Sequence, residues 1–395
     1  MTVTPARVAI AGGSLGGLTT ALLLRDLGHD VTIHERSAAE LEQRGAGIGF
    51  LPDSARYLVE RAGTAIDAIS TSTEVIRYLG RSGAVQHEIA HRYHFTSWNT
   101  VYRGLLDHFG RERYLLGREV VGRDDHDTHV TVHFADGSHD DVDLLVAADG
   151  VGSTFRRQLL PAARHAYAGY VAWRGMVPEH LVDPTVARAL GDAITYYVYA
   201  NSHILVYPIP GVDGDVRPGH RLINFVWYRN YLDGDDLTDL LTDRTGTTRD
   251  ISLPPGAVRA DHIAELRATA VARLPEVVAE VITATEEPFL QVVYDVEIER
   301  MAFGRTCLIG DAAFVARPHM AAGTAKAAAN AWALAEVIAT HDDIPSALAA
   351  WEPGQVALGR QLVARARRVG TRSQVTGTWD PRDPDLLFRL REEGP

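Results

Sequence analysis

"VAIAGGSLGGL", residues Val8 to Leu18, is the stretch that decides the fold. Val8, Ile10 and Ala11 form a short continuous apolar run, which suits a parallel strand buried on both faces. The run ends in Gly12, Gly13, Ser14, Leu15, Gly16 and Gly17, close to the G-x-G-x-x-G turn but with serine at the middle glycine. That turn makes three demands: a tight bend at the first glycine, close approach of backbone to a pyrophosphate at the second, and close helix–strand packing at the third. Ser14 keeps a small side chain and adds a hydroxyl within reach of a phosphate oxygen. Working outward, residues 7–36 read as strand, turn, helix closed by Gly28, and a second strand ending in Glu35, about the length of a βαβ crossover. The loop alone also fits a bare packing corner. Glu35 stands where an acid accepts hydrogen bonds from a ribose, and this favours a nucleotide site.

The remaining chain sets the boundaries of that reading. Its 395 residues suffice for two or three domains, and 46% hydrophobic with 23% charged residues is an ordinary globular composition. A formal charge of −12 argues against nucleic acid and anionic membrane as partners, because both need a basic face. Of the 39 basic residues only Lys326 is lysine. The lone Cys307, in the apolar run "RTCLIGDAA", reads as a buried inert thiol and excludes an intramolecular disulfide. "MTVTPAR" shows no secretory pattern, and "AAANAWALAEVIA" is too short and too interrupted to span a bilayer, so a cytoplasmic location is expected.

Residues 51–70 predict an amphipathic helix and its exit, 74–97 a hairpin, and "NTVYRGLLDHFG" a helix closed by Gly110. Asp136-Gly137 predicts another hairpin turn. From about 166 to 300, runs such as "AITYYVY", "HILVYPIP" and "RLINFVWY" predict an inserted antiparallel sheet. A helix is expected over 324–340, and a polar, loosely ordered tail from about 376. His126, His129 and His133 suggest metal, but along a strand the last two stand roughly 13 Å apart, too far for one ion. No metal is expected. "RQLVARARRVG" reads as a basic helical face for pairing within the chain or a dimer.

Two further segments repeat the logic of the first. "LLVAADGVGSTFRRQL" is an apolar strand ending in Asp149-Gly150, and "CLIGDAAFVARPH" is another ending in Gly310-Asp311. In this order and spacing the three segments resemble the class A flavoprotein monooxygenases, the single-component aromatic hydroxylases. "GGSLGGL", "FTSWNTVYRGLL", "YAGYVAWRG", "YPIPG" and "GDAAFVARPHMAAGTAKAA" are similar to the 2,6-dihydroxypyridine 3-hydroxylase branch of that family.

The resemblance implies an α/β fold: a Rossmann-like FAD-binding domain (1–75, 98–165 and 286–340), an inserted antiparallel β-sheet substrate domain (76–97 and 166–285) and a C-terminal helical segment with tail (341–395). FAD would be the cofactor and NADH or NADPH the transient reductant. Gly12, Ser14, Leu15 and Gly17 would wrap the FAD pyrophosphate, with Glu35 and Arg36 at the adenosine ribose. Gly47 would also contact the cofactor, and Arg103 would reach across the nucleotide. Asp149 and Gly150 would sit beside the pyrophosphate, and Gly310 and Asp311 at the ribityl chain. Gly323 and Thr324 would open a helix aimed at the flavin N1/O2 edge. The family pattern G-Q-G-x-N-x-A-x-E-D-A is altered here, with Ala321, Ala322, Ala325, Ala329 and Asn330 replacing most of its polar members.

The implied reaction is hydroxylation of a small electron-rich ring, hydroxypyridine-like, by O2 through a flavin C4a-hydroperoxide, which requires a proton acceptor near the substrate hydroxyl and exclusion of water. Catalytic candidates are His203, His319, Tyr207 and Pro318. Substrate-binding candidates are Tyr197, Tyr199, His203, Tyr207, Trp173 and Arg174, with strand alternation allowing one face inward. For the two histidines, and for Trp173 and Arg174, a structural role fits the sequence equally well. Rival readings are a hydroxylase of a larger phenolic natural product, a flavin dehydrogenase or reductase that does not activate oxygen, and a nucleotide-binding scaffold. A homodimer is implied by the resemblance alone.

Overall fold

In the computed structural model, which describes residues 5–41 and 46–391, strand Arg7–Ala11 lies inside a six-stranded sheet. It pairs in parallel with Leu144–Ala147 on one side and Asp30–Glu35 on the other. Thr306–Leu308 adds in parallel beyond Leu144–Ala147, and Tyr114–Leu116 beyond Asp30–Glu35. Cys307, central in its short strand, is fully buried, and burial pushes its thiol pKa far up. Helix Leu15–Asp26 lies between this sheet and helix Gly323–Thr340, so it is buried nearly all round rather than on one stripe. Gly28, at φ +90°, turns the chain into the second strand.

The Tyr-, Val- and Ile-rich runs form a nine-stranded sheet, antiparallel except where Ala193–Tyr199 meets Thr71–Leu79. Its central strands are Ala166–Pro178, Leu222–Asn230, Ser202–Ile209 and Ala193–Tyr199. One face packs under helices Pro184–Leu190, Asp235–Leu241, Ala260–Arg273 and Glu276–Ala284. The other, inner face meets helices Gly323–Thr340 and Ile344–Thr371.

Several expectations shift. Strand Phe289–Asp295 pairs with Ala166–Pro178, so the inserted sheet ends near 295 rather than 285, and Gly47–Gly49 joins its far edge. The helix expected over 51–70 is broken into Pro52–Arg56, a π-helical turn Tyr57–Arg61 and Ile66–Ile69. The tail is not loose where it is described. Leu386, Phe388 and Leu390 are buried against the inner face, and Phe388 N–H donates to Tyr93 Oη at 2.9 Å. Buried Arg365 holds it there through the carbonyls of Asp385 and Leu387 at 2.9 and 2.7 Å, so the basic face of the long helix pairs within the chain. The ends of the chain, "MTVT" and residues 392–395, lie outside the described residues.

A three-stranded sheet of Val120–Asp125, Val130–Phe134 and His139–Val142 turns at Asp136-Gly137. Its His133 pairs with Asp124 at 2.7 Å, and no group of His, Cys, Asp and Glu among the described residues could hold a metal ion. Nor is any described helix long and apolar enough to cross a membrane.

Candidate active site

The three motif-bearing strands are sheet neighbours, in register at Ala11↔Ala147 and Ala147↔Leu308. Their carboxyl ends therefore emerge side by side, where open parallel sheets bind ligands. Gly12, at φ +108°, bends the chain so tightly that an added Cβ would stand 2.4 Å from the Ala148 carbonyl oxygen. A Cβ on Gly17 would fall 2.0 Å from Gly12 O, which is the helix–strand contact that position demands. Gly16 and Gly310 both approach Ala327 Cβ, so the first turns of two helices and the Gly310-Asp311 turn converge through small residues.

A cleft of about 190 Å³ lies at these strand ends, lined by Gly12, Ser14, Glu35, Arg36, Asp149 and Gly150 among others. Glu35 is buried, and its carboxylate accepts from Gly13 N–H at 2.9 Å and Ser37 N–H at 2.8 Å, which holds the loop while an edge faces the cleft. Tyr114 Oη donates to Gly13 O at 2.8 Å from behind. Ser14 occupies the N-cap of helix Leu15–Asp26 in extended geometry, its hydroxyl makes no capping bond, and the first turn carries no acid. The amide donors and positive end of that helix are therefore directed at the cleft. Asp149 Oδ2 caps the following helix through Thr154 N–H at 2.7 Å, while Oδ1 is buried without a partner. His34 Nδ1, in the same lining, is also buried and unpartnered. A cradle only glycine allows, an uncommitted hydroxyl and orphaned polar atoms fit a dinucleotide such as FAD.

Beyond the cleft, Arg156 is almost wholly buried and joins two of the loops. Its guanidinium donates to the carbonyls of Asp311 and Ala312, each at 2.9 Å, and to that of Val151. Asp311 is held by Lys326 Nζ at 2.8 Å. Helix Gly323–Thr340 begins just after Ala321, a left-handed residue at φ +51°, and Thr324 Oγ1 bonds Ser54 Oγ at 2.8 Å. Two expected contacts are constrained. The Gly47 peptide is committed to the sheet: its N–H donates to Asn224 Oδ1 at 3.0 Å, and its carbonyl accepts from Arg174 and Tyr207 at 2.7 and 3.0 Å. Arg103 points toward the Val212 carbonyl, 3.5 Å away, and is not in the cleft lining.

The inner face of the large sheet holds a buried polar group. His319, in the short turn Pro318–Met320, bonds Tyr170 Oη through Nε2 at 2.6 Å, while its Nδ1 is buried without a partner. His203 Nδ1 meets Gln374 Nε2 at 3.1 Å, and the two imidazoles stand 5.2 Å apart, walled by Tyr228 and Trp379. Burial lowers the pKa of His203 to about 3 and depresses that of His319 well below normal, assisted there by His203 and Arg317, so both are neutral imidazoles near pH 7. Arg317 reaches Tyr170 Oη at 3.5 Å and is fixed by Asp295.

Cross-strand register separates the substrate candidates. His203 pairs with Val198 and Tyr228, and Arg174 with Val226, so these share the inner face with Tyr207. Tyr197, Ile204, Trp227 and Trp173 form the adjacent row and point the other way, into the helix-covered layer. Tyr197, Tyr199 and Trp173 are therefore packing residues of the outer face, not neighbours of the histidines. Tyr207, whose hydroxyl is spent on Gly47, holds a strand rather than standing free for proton transfer.

The chain is 34% identical to 2,6-dihydroxypyridine 3-monooxygenase of Paenarthrobacter nicotinovorans across 99% of its own length and 97% of that protein. The chain belongs to the class A FAD-dependent aromatic hydroxylases. The structure of 2,6-dihydroxypyridine-3-hydroxylase from Arthrobacter nicotinovorans superposes with a TM-score of 0.93 at 33% identity, covering both chains completely. FAD-dependent urate hydroxylase of Klebsiella pneumoniae is 27% identical over 98% of this chain and 95% of its own. An FAD binding domain-like family model matches residues 167–295, the inserted sheet rather than the glycine loop. This hydroxylase binds FAD, and the candidate site includes residues that no motif singled out. Tyr114 and Gly370 carry no local signature; a Cβ on Gly370 would sit 2.5 Å from Tyr170 Oη, so the long helix closes onto the histidine pair only because that position is glycine. Arg156 follows Asp149-Gly150 closely, and Lys326 is the only lysine, so both left a signal.

Proposed function

We propose that this hydroxylase acts on a small, electron-rich hydroxylated ring of hydroxypyridine type, with NADH or NADPH as electron donor. The observation that carries the reading is the unpartnered Nδ1 of His319 in the buried cluster it forms with Tyr170, His203, Tyr228 and Trp379. A buried polar atom left unpaired costs about 1–3 kcal/mol, and a ring hydroxyl placed against it removes that cost. The flat rings of Tyr228, His203 and Trp379 suit a flat ligand. FAD, when bound, takes electrons from the nicotinamide and delivers one atom of O2 to the ring.

The chain's own residues prepare the ring for that attack. His319, neutral at working pH, receives the hydroxyl proton at Nδ1 or holds the resulting oxyanion, while Tyr170 fixes the imidazole through Nε2. Arg317, one residue before Pro318 and tied to Asp295, puts a positive charge behind Tyr170, which favours an anionic ring. Arg174 and Tyr207 hold strand Gly47–Gly49 against the sheet, and Gly370 lets the long helix shut water out. The 34% identity to the dihydroxypyridine enzyme, over nearly the full length of both chains, supports the same substrate class. The test is a panel of hydroxypyridines and phenols, with NAD(P)H oxidation, oxygen uptake and product mass followed together. A hydroxypyridine should accelerate reduction and gain one oxygen atom. Reduction without any oxygenated product, whatever the ring, would overturn the proposal.

A further inference from the structure

The one lysine in this chain occupies a place that no surface residue could. A buried site that needs a compact ammonium is one that the planar arginine fork does not fit. Lys326 is 1% exposed, in the first turns of helix Gly323–Thr340. Its Nζ donates to Asp311 Oδ1 at 2.8 Å and to the Phe314 carbonyl. The Asp311 side chain remains 44% exposed, so one oxygen is gripped while the residue still faces outward.

The Gly310–Ala312 turn itself does not depend on this contact. Arg156 holds its backbone through the Asp311 and Ala312 carbonyls, and Asn330 Oδ1 accepts from Gly310 N–H at 3.0 Å. Lys326 alone among the described residues touches the carboxylate by an ion pair. Its removal therefore changes the charge and orientation of Asp311, not the existence of the turn. Without Asp311 the Lys326 ammonium would be buried unpaired, and the pair avoids that.

We propose that Lys326 is a positioning residue for the flavin, acting with Asp311 as a single unit that sets FAD affinity and the reduction potential of the bound cofactor. The proposal rests on Asp311 facing the ribityl part of FAD.

The experiment uses Lys326→Gln, Asp311→Asn and the double variant Lys326→Met/Asp311→Asn. Apo-protein fold is checked by circular dichroism, FAD affinity by fluorescence quenching and the midpoint potential by dye-coupled reduction. Each single variant should bind FAD at least tenfold more weakly. The potential should move down in Lys326→Gln and up in Asp311→Asn, and return close to the parent value in the double variant, whose affinity loss should be smaller than the product of the two single losses. Opposite shifts are a signature of charge that a packing defect does not produce. Folded single variants with parental affinity and potential, or losses that simply multiply, would overturn the proposal. Should Lys326→Gln fail to fold, the half-exposed Asp311→Asn and the neutral double variant still decide it: an unmoved potential in Asp311→Asn overturns the claim. A parent protein that does not bind FAD would strike the family reading instead, before any variant is made.

Discussion

Gly12→Ala tests whether the glycine loop is a cradle that geometry closes to every other residue. At φ +108° an alanine is held in backbone space that L residues rarely adopt, at a cost of about 1–3 kcal/mol. Its methyl carbon would also stand 2.4 Å from Ala148 O and 2.8 Å from the carbonyl carbon, both backbone atoms of a neighbouring strand exit. Overpacking of this kind adds about 1–3 kcal/mol, so the sum is roughly 2–6 kcal/mol. Ala148 N–H is bonded to Ala11 O at 2.8 Å, so the obstructing strand cannot retreat without breaking the sheet. The strain is relieved only by moving the loop, and the loss then appears in FAD affinity at about tenfold per 1.4 kcal/mol, or roughly 30-fold and upward. Gly137→Ala is the matched control, with φ +83° but nothing within 4 Å of the added carbon. It should cost about 1 kcal/mol of stability and leave FAD binding untouched. Fluorescence titration and thermal midpoints of both variants provide the assay. A Gly12→Ala protein that binds FAD within threefold of the parent, with equal stability, would refute the reasoning.

His319→Phe should retain FAD but lose hydroxylation by about 10²-fold or more, the usual scale for a positioned proton acceptor, with NAD(P)H consumed into peroxide; coupled oxygen and product measurements check it. Tyr197→Phe, on the outer face, should leave turnover within twofold, and a large drop in kcat would return that residue to the site. His203, at about 3 when folded and near 6.5 when unfolded, binds more protons unfolded between those values. Its contribution to stability is therefore intact above pH 6.5 and lost as pH falls toward 3, by up to about 1.4 kcal/mol per pH unit; urea titrations at pH 7 and 5 should show the slope, and His203→Gln should make it shallower, leaving the share of buried His319 and His34. Arg365→Ala removes the bonds to the Asp385 and Leu387 carbonyls, so the tail should become cleavable by protease while the remaining chain resists.

What the sequence revealed most clearly were features set by short-range sterics. Gly12, Gly17 and the apolar runs ending at Asp149 and Asp311 each state a local demand, and the sheet brings them together as that demand requires. The faces of the inserted sheet were not legible. A period of two says that Tyr197 and Tyr199 share a side, and likewise His203 and Tyr207, but only the Tyr199↔Ser202 pairing at the hairpin fixes which strand parity meets which. The docked tail was masked by its composition: Leu386, Phe388 and Leu390 alternate as buried residues do, but arginines and prolines surround them. The Tyr170–His319 contact joins residues 149 positions apart, and no local pattern encodes such a partner.

Cys307 carries a practical consequence. Sealed within the central sheet at 0% exposure and kept as a thiol by its surroundings, it offers oxidants in solution nothing to react with at the surface. The same seclusion makes it a clock: a thiol reagent can react only when the strand bundle beneath the cofactor comes apart, so its labelling rate, with and without FAD, reads out how firmly the ligand clamps the whole domain shut.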